Sequence, residues 1–244
     1  MKKRRFFALF LVLGLLVSLL SVTASAFEEI DVDARAALLV EKETGEILYE
    51  KNAHEKNYPA SITKLTVALL VFEAIDAGQL SLDQPITARE SAFEGLSIYG
   101  STAGIKVGEV LTVEQLLQCM LIVSANEACN ILAEAVCGEG NISQFVQRMN
   151  ERAAALGCEN THYVNTGLHD PDHYTTAWDI YLITRALMPY EKFMEICNSK
   201  SAEIAETDHN QRHVLHSTNR LISNWRELGY LYRDAQGIKT GSTE

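Results

Sequence analysis

Ser61 and Lys64 stand three positions apart in the stretch Tyr58-Pro59-Ala60-Ser61-Ile62-Thr63-Lys64-Leu65. A serine hydroxyl is a poor nucleophile until a neighbouring base takes its proton. Residues i and i+3 of a helix share a face, so this spacing sets an amine beside a hydroxyl. Lysine is a base only when neutral, and its ordinary pKa of ~10.4 must be strongly depressed for that. Burial and a nearby like charge both act in that direction, and Lys239 is the candidate like charge. Free N–H groups at a helix start favour developing negative charge, and the Ser61 N–H is a candidate for half of an oxyanion hole. Ser-x-x-Lys by itself is a weak signal, because it recurs by chance in most sequences.

Two later segments supply complementary chemistry. Ser124-Ala125-Asn126 lies between two helical stretches. Its hydroxyl suits relay of a proton between Lys64 and a leaving amine, and its amide suits a substrate amide through donor and acceptor together. Taken alone, Ser and Asn at a helix start read as caps. Lys239-Thr240-Gly241 offers a cation and a hydroxyl for a substrate carboxylate, with a glycine that lets a substrate backbone lie alongside. Taken alone, it reads as an ordinary strand end.

Local patterning predicts the elements that must position these groups. Ala36–Val40, the turn Glu43-Thr44-Gly45 and Glu46–Tyr49 read as a β-hairpin. Leu65, Ala68, Leu69, Phe72 and Ile75 recur at helical spacing, and Gly78 is a natural stop. Residues 79–110 are loop-rich. Thr112 with Gln115 is a capping-box signal ahead of Leu116, Leu117, Met120 and Leu121. Ala128, Ile131, Leu132 and Ala135 continue as another helix towards Gly138. Ile142 to Leu156 is a third, with Phe145, Val146, Met149 and Ala153 on one face. Thr176 and Asp179 cap a fourth, which Pro189 ends. Short strands are expected around Glu203 and Val214, and Gly237 to Thr243 reads as the start of a last strand. Strands, then helices, then a strand make an α+β pattern.

The first 26 residues stand apart. Lys2, Lys3, Arg4 and Arg5 precede an apolar run from Phe6 to Leu20, and Ala24-Ser25-Ala26 supplies a small-x-small cleavage pattern. This is a signal peptide with Phe27 as the mature start, in preference to a membrane span needing ~20 apolar residues. The expected domains are therefore 1–26, the signal peptide, and 27–244, one catalytic domain, exported to the cell envelope. The chain carries a formal net charge of −11. Losing the four basic leader residues makes it more acidic, which argues against nucleic acid as a partner and reads otherwise as a solubility feature. Five cysteines, an odd number without a Cys-x-x-Cys pair, define no disulfide framework. Cys129 and Cys137 read as small buried hydrophobes, and Trp178 and Trp225 as core or half-buried anchors.

The three motifs in this order belong together in β-lactamases and penicillin-binding proteins. From about Ala36 onward the chain resembles the low-molecular-weight penicillin-binding proteins, specifically the serine D-alanyl-D-alanine carboxypeptidases. Asn165-Thr166-Gly167-Leu168, Tyr174-Thr175-Thr176-Ala177 and His216-Ser217-Thr218-Asn219-Arg220-Leu221 add to the likeness. The resemblance implies a penicillin-binding-protein-like transpeptidase fold, an antiparallel sheet beside a helical cluster. It implies Ser61 as acyl-enzyme nucleophile, Lys64 as its base and Ser124 as proton relay. Asn126 would bind the peptide, Lys239 and Thr240 the terminal carboxylate along Gly241, and the Ser242 N–H would complete the oxyanion hole. The implied partner is a peptidoglycan stem peptide ending in D-Ala-D-Ala, with β-lactams as acylating mimics and no cofactor or metal.

Two departures follow from the same likeness. The middle motif has Ala125 where many relatives have glycine. The family's last motif is followed by two further strands and a covering helix, and relatives often carry a C-terminal amphipathic anchor, the expected route of any membrane association. The chain as written reads as C-terminally truncated, with an incomplete sheet and little stability or activity alone. A class A β-lactamase is the nearest rival, but residues 160–175 offer Asp170 and Asp172 and no matching glutamate. A D,D-endopeptidase and a non-catalytic wall-binding protein stay open as alternatives. His169-Asp170-Pro171-Asp172-His173 resembles a metal cluster, yet Pro171 favours a polar loop.

Overall fold

The short apolar run ahead of Glu43-Thr44-Gly45 folds as its pattern predicts. Strand β1 (Ala37–Val40) pairs antiparallel with β2 (Ile47–Lys51). The Glu41 carboxylate closes the turn by accepting from the Thr44 N–H and the Thr44 hydroxyl, both at 2.6 Å. The structure is a computed structural model that describes residues 31–242. The signal peptide expected at 1–26 lies outside the described residues. From Arg35 onward the chain forms one unit.

A 3-10 turn over Ala60–Thr63 runs directly into helix α1 (Lys64–Asp76). Leu65, Val67, Leu69, Val71 and Phe72 of α1 are all buried, so most of the circumference of this helix faces the core. Burial of each such side chain contributes roughly 1.5–3 kcal/mol, so the helix is held far more firmly than a surface element. Around it pack α2 (Val113–Ile122), α3 (Asn126–Cys137), α4 (Ile142–Ala155) and α5 (Ala177–Leu187). The capping box that starts α2 is formed in full: Thr112 Oγ1 accepts from the Gln115 N–H at 3.2 Å, and Gln115 Oε1 accepts from the Thr112 N–H at 2.8 Å. Thr176 caps α5 through the Asp179 N–H at 3.0 Å. Phe145, Val146, Met149 and Ala153 are the buried face of α4, as their spacing requires.

Strands β5 (Ser201–Ile204) and β6 (His213–His216) pair antiparallel, with Glu203 opposite Val214. Three features depart from the sequence reading. The loop-rich span 79–110 holds β3 (Pro85–Thr87), which pairs with β4 (Val110–Thr112), each too short for alternation to show. After Pro189 the chain starts a further helix, α6 (Glu191–Asn198), on an amphipathic face of Phe193, Ile196 and Cys197. Residues 237–242 are not a strand. A ladder needs a neighbouring backbone, and this segment is held instead by the loop at Thr218 and Asn219. Trp225, expected as an anchor, is 64% exposed, whereas Trp178 is half-buried.

All five cysteines are free thiols, with Cys129 buried and Cys137 half-buried. Among the described residues no helix is long and apolar enough to cross a membrane. A cavity of about 930 Å3 opens between β1, residues 57–62, α5 and Gly241. β1 and the third motif therefore line one open space rather than pairing with each other. These helices and antiparallel strand pairs are the expected α+β architecture.

Candidate active site

Lys64 is the first residue of α1 and is fully buried. Its Nζ donates to the Ser124 carbonyl at 2.8 Å and to Asn126 Oδ1 at 2.7 Å, and lies within hydrogen-bond distance of the hydroxyls of Ser61, at 3.0 Å, and Ser124, at 3.2 Å. The first two motifs thus meet at one amine. Ser61 sits in the 3-10 turn one turn earlier, half-buried, with its hydroxyl facing that amine.

The backbone is bent to permit this. Ser124 has φ 67, a left-handed conformation that non-glycine residues rarely adopt, and Ala60, just before Ser61, has φ 45. Such outliers persist only where the surroundings hold them, and they gather at functional sites. The bend at Ser124 turns both its carbonyl and its hydroxyl towards Lys64, while Asn126 opens α3. The Asn126 N–H donates to the Ser101 carbonyl at 2.9 Å. The next residue, Glu127, is buried, and its Oε1 accepts from Thr102 Oγ1 at 2.6 Å and the Ala103 N–H at 2.8 Å. The 100–104 loop is thereby fastened beside the site.

The third motif reaches the same cluster. Lys239 Nζ donates to Ser124 Oγ at 3.1 Å and to the Thr240 carbonyl at 2.7 Å. Thr240 Oγ1 is 2.6 Å from Thr218 Oγ1; when Thr218 donates, the Thr240 proton is free for an incoming oxygen. A Cβ on Gly241 would stand 2.8 Å from Ile62 Cγ1 and 3.0 Å from the Pro59 carbonyl. The glycine therefore admits the turn that leads to Ser61, and it also lines the open cavity beside β1. Ser242 is exposed beyond it, and no hydrogen bond ties it to the other site residues.

Two amines so close cannot both hold their ordinary pKa. Burial drives Lys64 downward, opposed by Cys129 and Glu127. Lys239 falls to about 7, through burial first and then the charge of Lys64. The like-charge effect therefore acts chiefly on Lys239, whereas the sequence reading had it act on Lys64.

Sequence reasoning missed several supporting residues. Gly167 has φ 143, and a Cβ there would lie 3.3 Å from Lys64 Cε and Cγ, so this glycine makes the floor under the lysine chain. A Cβ on Gly100 would be 2.7 Å from Asn126 Nδ2. His173, part of the metal-like cluster, is buried against Thr63. Its Nδ1 accepts from the Val164 N–H at 3.2 Å, so Nε2 carries the proton and donates to Thr63 Oγ1 at 2.7 Å. Burial lowers its pKa to about 4. His169 stacks edge-on against Tyr58 instead. The two histidines thus serve separate contacts. Nothing in residue spacing marks Gly167 or Gly100, because what they touch is distant in the chain.

Comparison with known proteins identifies similar sequences and similar folds. The family model described as D-alanyl-D-alanine carboxypeptidase, peptidase S11, matches residues 22–244. D-alanyl-D-alanine carboxypeptidase DacF of Bacillus subtilis is 33% identical over 236 residues, covering 93% of this chain and 57% of the relative. DacB2 of Mycobacterium tuberculosis is 30% identical over 216 residues, covering 87% of this chain and 67% of the relative. Among solved structures, the carboxypeptidase DacD from Francisella tularensis superposes with a TM-score of 0.76 at 27% identity, covering 89% of this chain and 61% of that one. The Streptomyces K15 DD-transpeptidase does so with a TM-score of 0.77 at 25% identity, covering 89% and 83%. The chain spans little more than half the length of DacF. With its three motifs gathered in one cluster, and with a family match over nearly its whole length, this chain belongs to the peptidase S11 family of D-alanyl-D-alanine carboxypeptidases.

Proposed function

We propose that the chain is a serine D,D-carboxypeptidase that removes the terminal D-Ala from peptidoglycan stem peptides through an acyl-enzyme on Ser61. The observation that carries this reading is an unbroken line of contacts. Ser61 Oγ, Lys64 Nζ, Ser124 Oγ and Lys239 Nζ follow one another at 3.0, 3.2 and 3.1 Å.

The partners of Lys64 define how it acts as a base. A neutral amine has two hydrogens and one lone pair. The Ser124 carbonyl and Asn126 Oδ1 can only accept, and they take the two hydrogens at 2.8 and 2.7 Å. The lone pair is left for a hydroxyl, and Ser61 Oγ is 3.0 Å away. Ser61 Oγ then bonds to the carbonyl carbon of the penultimate D-Ala. The proton passes through Lys64 and Ser124 to the nitrogen of the departing D-Ala as the C–N bond breaks. Water attacks the ester in the second half. Lys239 and Thr240 hold the terminal carboxylate, and Asn126 the peptide amide. The Ser61 and Ser242 N–H groups polarise the carbonyl oxygen.

β-Lactams would acylate Ser61 by the same route. Residues 1–26 are the export leader in this reading, and 27–244 the catalytic domain working outside the cytoplasm. The test is D-Ala release from an N-acylated peptide ending in D-Ala-D-Ala, with fluorescent penicillin labelling alongside. Both should be abolished in Ser61→Ala. Labelling of Ser61→Ala, or rapid nitrocefin turnover by the unaltered chain, would overturn the reading.

A further inference from the structure

A second cavity, of about 470 Å3, adjoins the site. It is lined by Tyr99, Ser101 and Thr102 from the loop before β4, and by His216, Trp225 and Arg226 from the end of β6 and the loop after it. Several contacts make it continuous with the catalytic cluster. Ser101 accepts the Asn126 N–H, Gly100 lies against the Asn126 side-chain amide, and Val123 in its lining precedes Ser124. Arg226 is close enough to Lys239 for its charge to act on that amine.

Its chemistry is specific. Trp225 stacks on His216, with ring centroids 3.7 Å apart and planes tilted by 13°, yet Trp225 stays 64% exposed. A rigid aromatic face is thus presented outward. Arg226 is exposed and makes no ion pair with any described residue, while nearby Arg220 and Arg212 are paired with Glu227 at 2.6 Å and Glu203 at 3.2 Å. Beside this cavity, the Arg226 guanidinium is available to an anion from outside.

We propose that this cavity takes the part of the stem peptide preceding D-Ala-D-Ala, and that Arg226 selects peptides bearing a free carboxylate there. This rests on the carboxypeptidase reading. The terminal carboxylate belongs to Lys239 and Thr240 in that reading, and the cavity lies beside Asn126, the residue assigned to the peptide itself. The Trp225–His216 face receives the aliphatic part of the upstream residue, and the guanidinium forks onto its carboxylate.

The test is a two-by-two comparison on the full chain. Two peptides ending in D-Ala-D-Ala differ only in whether the upstream side chain ends in carboxylate or carboxamide. Each is assayed with the unaltered protein and with Arg226→Gln. The unaltered protein should favour the carboxylate roughly tenfold in kcat/KM, the size of one charge-assisted fork, and Arg226→Gln should bring the ratio to near one. Arg226→Lys should fall between. The same ratio should appear in the affinities of both peptides for Ser61→Ala, which needs no turnover. A ratio near one in the unaltered protein, or a preference that survives Arg226→Gln, overturns the assignment. Release of D-Ala from neither peptide would count against the carboxypeptidase reading, while the Ser61→Ala affinities would still decide the selectivity.

Discussion

The two halves of the catalytic cluster are built in different ways. Ser61, Lys64, Ser124 and Asn126 sit at the ends of helices α1, α2 and α3, whose apolar side chains are almost wholly buried. Lys239 and Thr240 lie on an irregular segment fastened by a few polar contacts: Thr218 to Thr240, Asn219 Nδ2 to the Gly237 carbonyl at 2.6 Å, and Lys239 to Ser124. The loop that carries it also exposes Leu228, Tyr230, Leu231 and Tyr232. The nucleophile and its base are thus fixed by the core. The carboxylate-binding half is placed by hydrogen bonds that open at much lower cost.

If that contrast holds, the largest loss should come from moving the base within the core. Gly167→Ala forces a Cβ to within 3.3 Å of the Lys64 chain at a backbone angle that L residues resist. We expect about a hundredfold slower penicillin acylation, from a displacement of a few tenths of an ångström, with the fold retained by circular dichroism. Acylation at the original rate would show that the lysine tolerates a shifted floor.

His173 tests the same half through stability. Its pKa falls from its ordinary 6.5 to about 4, so the unfolded chain binds a proton that the folded one excludes between those values. Stability from this group is therefore complete above about pH 6.5 and lost as pH falls towards 4. The loss is roughly 3 kcal/mol over that window. Urea unfolding at several pH values should show the slope, and His173→Gln should flatten it.

The looser half should answer to pH at the level of binding. Lys239, at about 7, is neutral in alkaline solution and then holds a carboxylate poorly. KM for a D-Ala-D-Ala peptide should rise severalfold between pH 7 and 9. Lys239→Arg should keep KM level across that range, because guanidinium does not lose its proton there. An identical rise in the arginine variant would move the effect to another group. Smallest of all, Thr218→Val should raise KM only a few-fold, since it removes one hydroxyl partner of Thr240.

The same contrast decides what could be read from residues alone. Ser61 and Lys64 are neighbours on one turn, so their contact follows from spacing. The capping box at Thr112 is similarly local, and short strands are legible around Glu203 and Val214, although their pairing is not. The segment from Gly237 to Thr243 reads as the start of a last strand, but pairing depends on another backbone that no local pattern reveals. Gly167 under Lys64, Gly100 against Asn126 and Arg226 near Lys239 are long-range juxtapositions. They become visible only once the helices have met.

Ser124 carries one more implication. Glycine adopts φ 67 at no steric cost, so Ser124→Gly would relax the turn and lose the hydroxyl that touches both lysines. The backbone relief, about 1 kcal/mol, is offset by the loss of that hydroxyl's bonds to Lys64 and Lys239, and the proton path goes with them. The strain at this one residue is thus tied to its chemistry, and a screen on heat tolerance alone would be blind to the loss of the second.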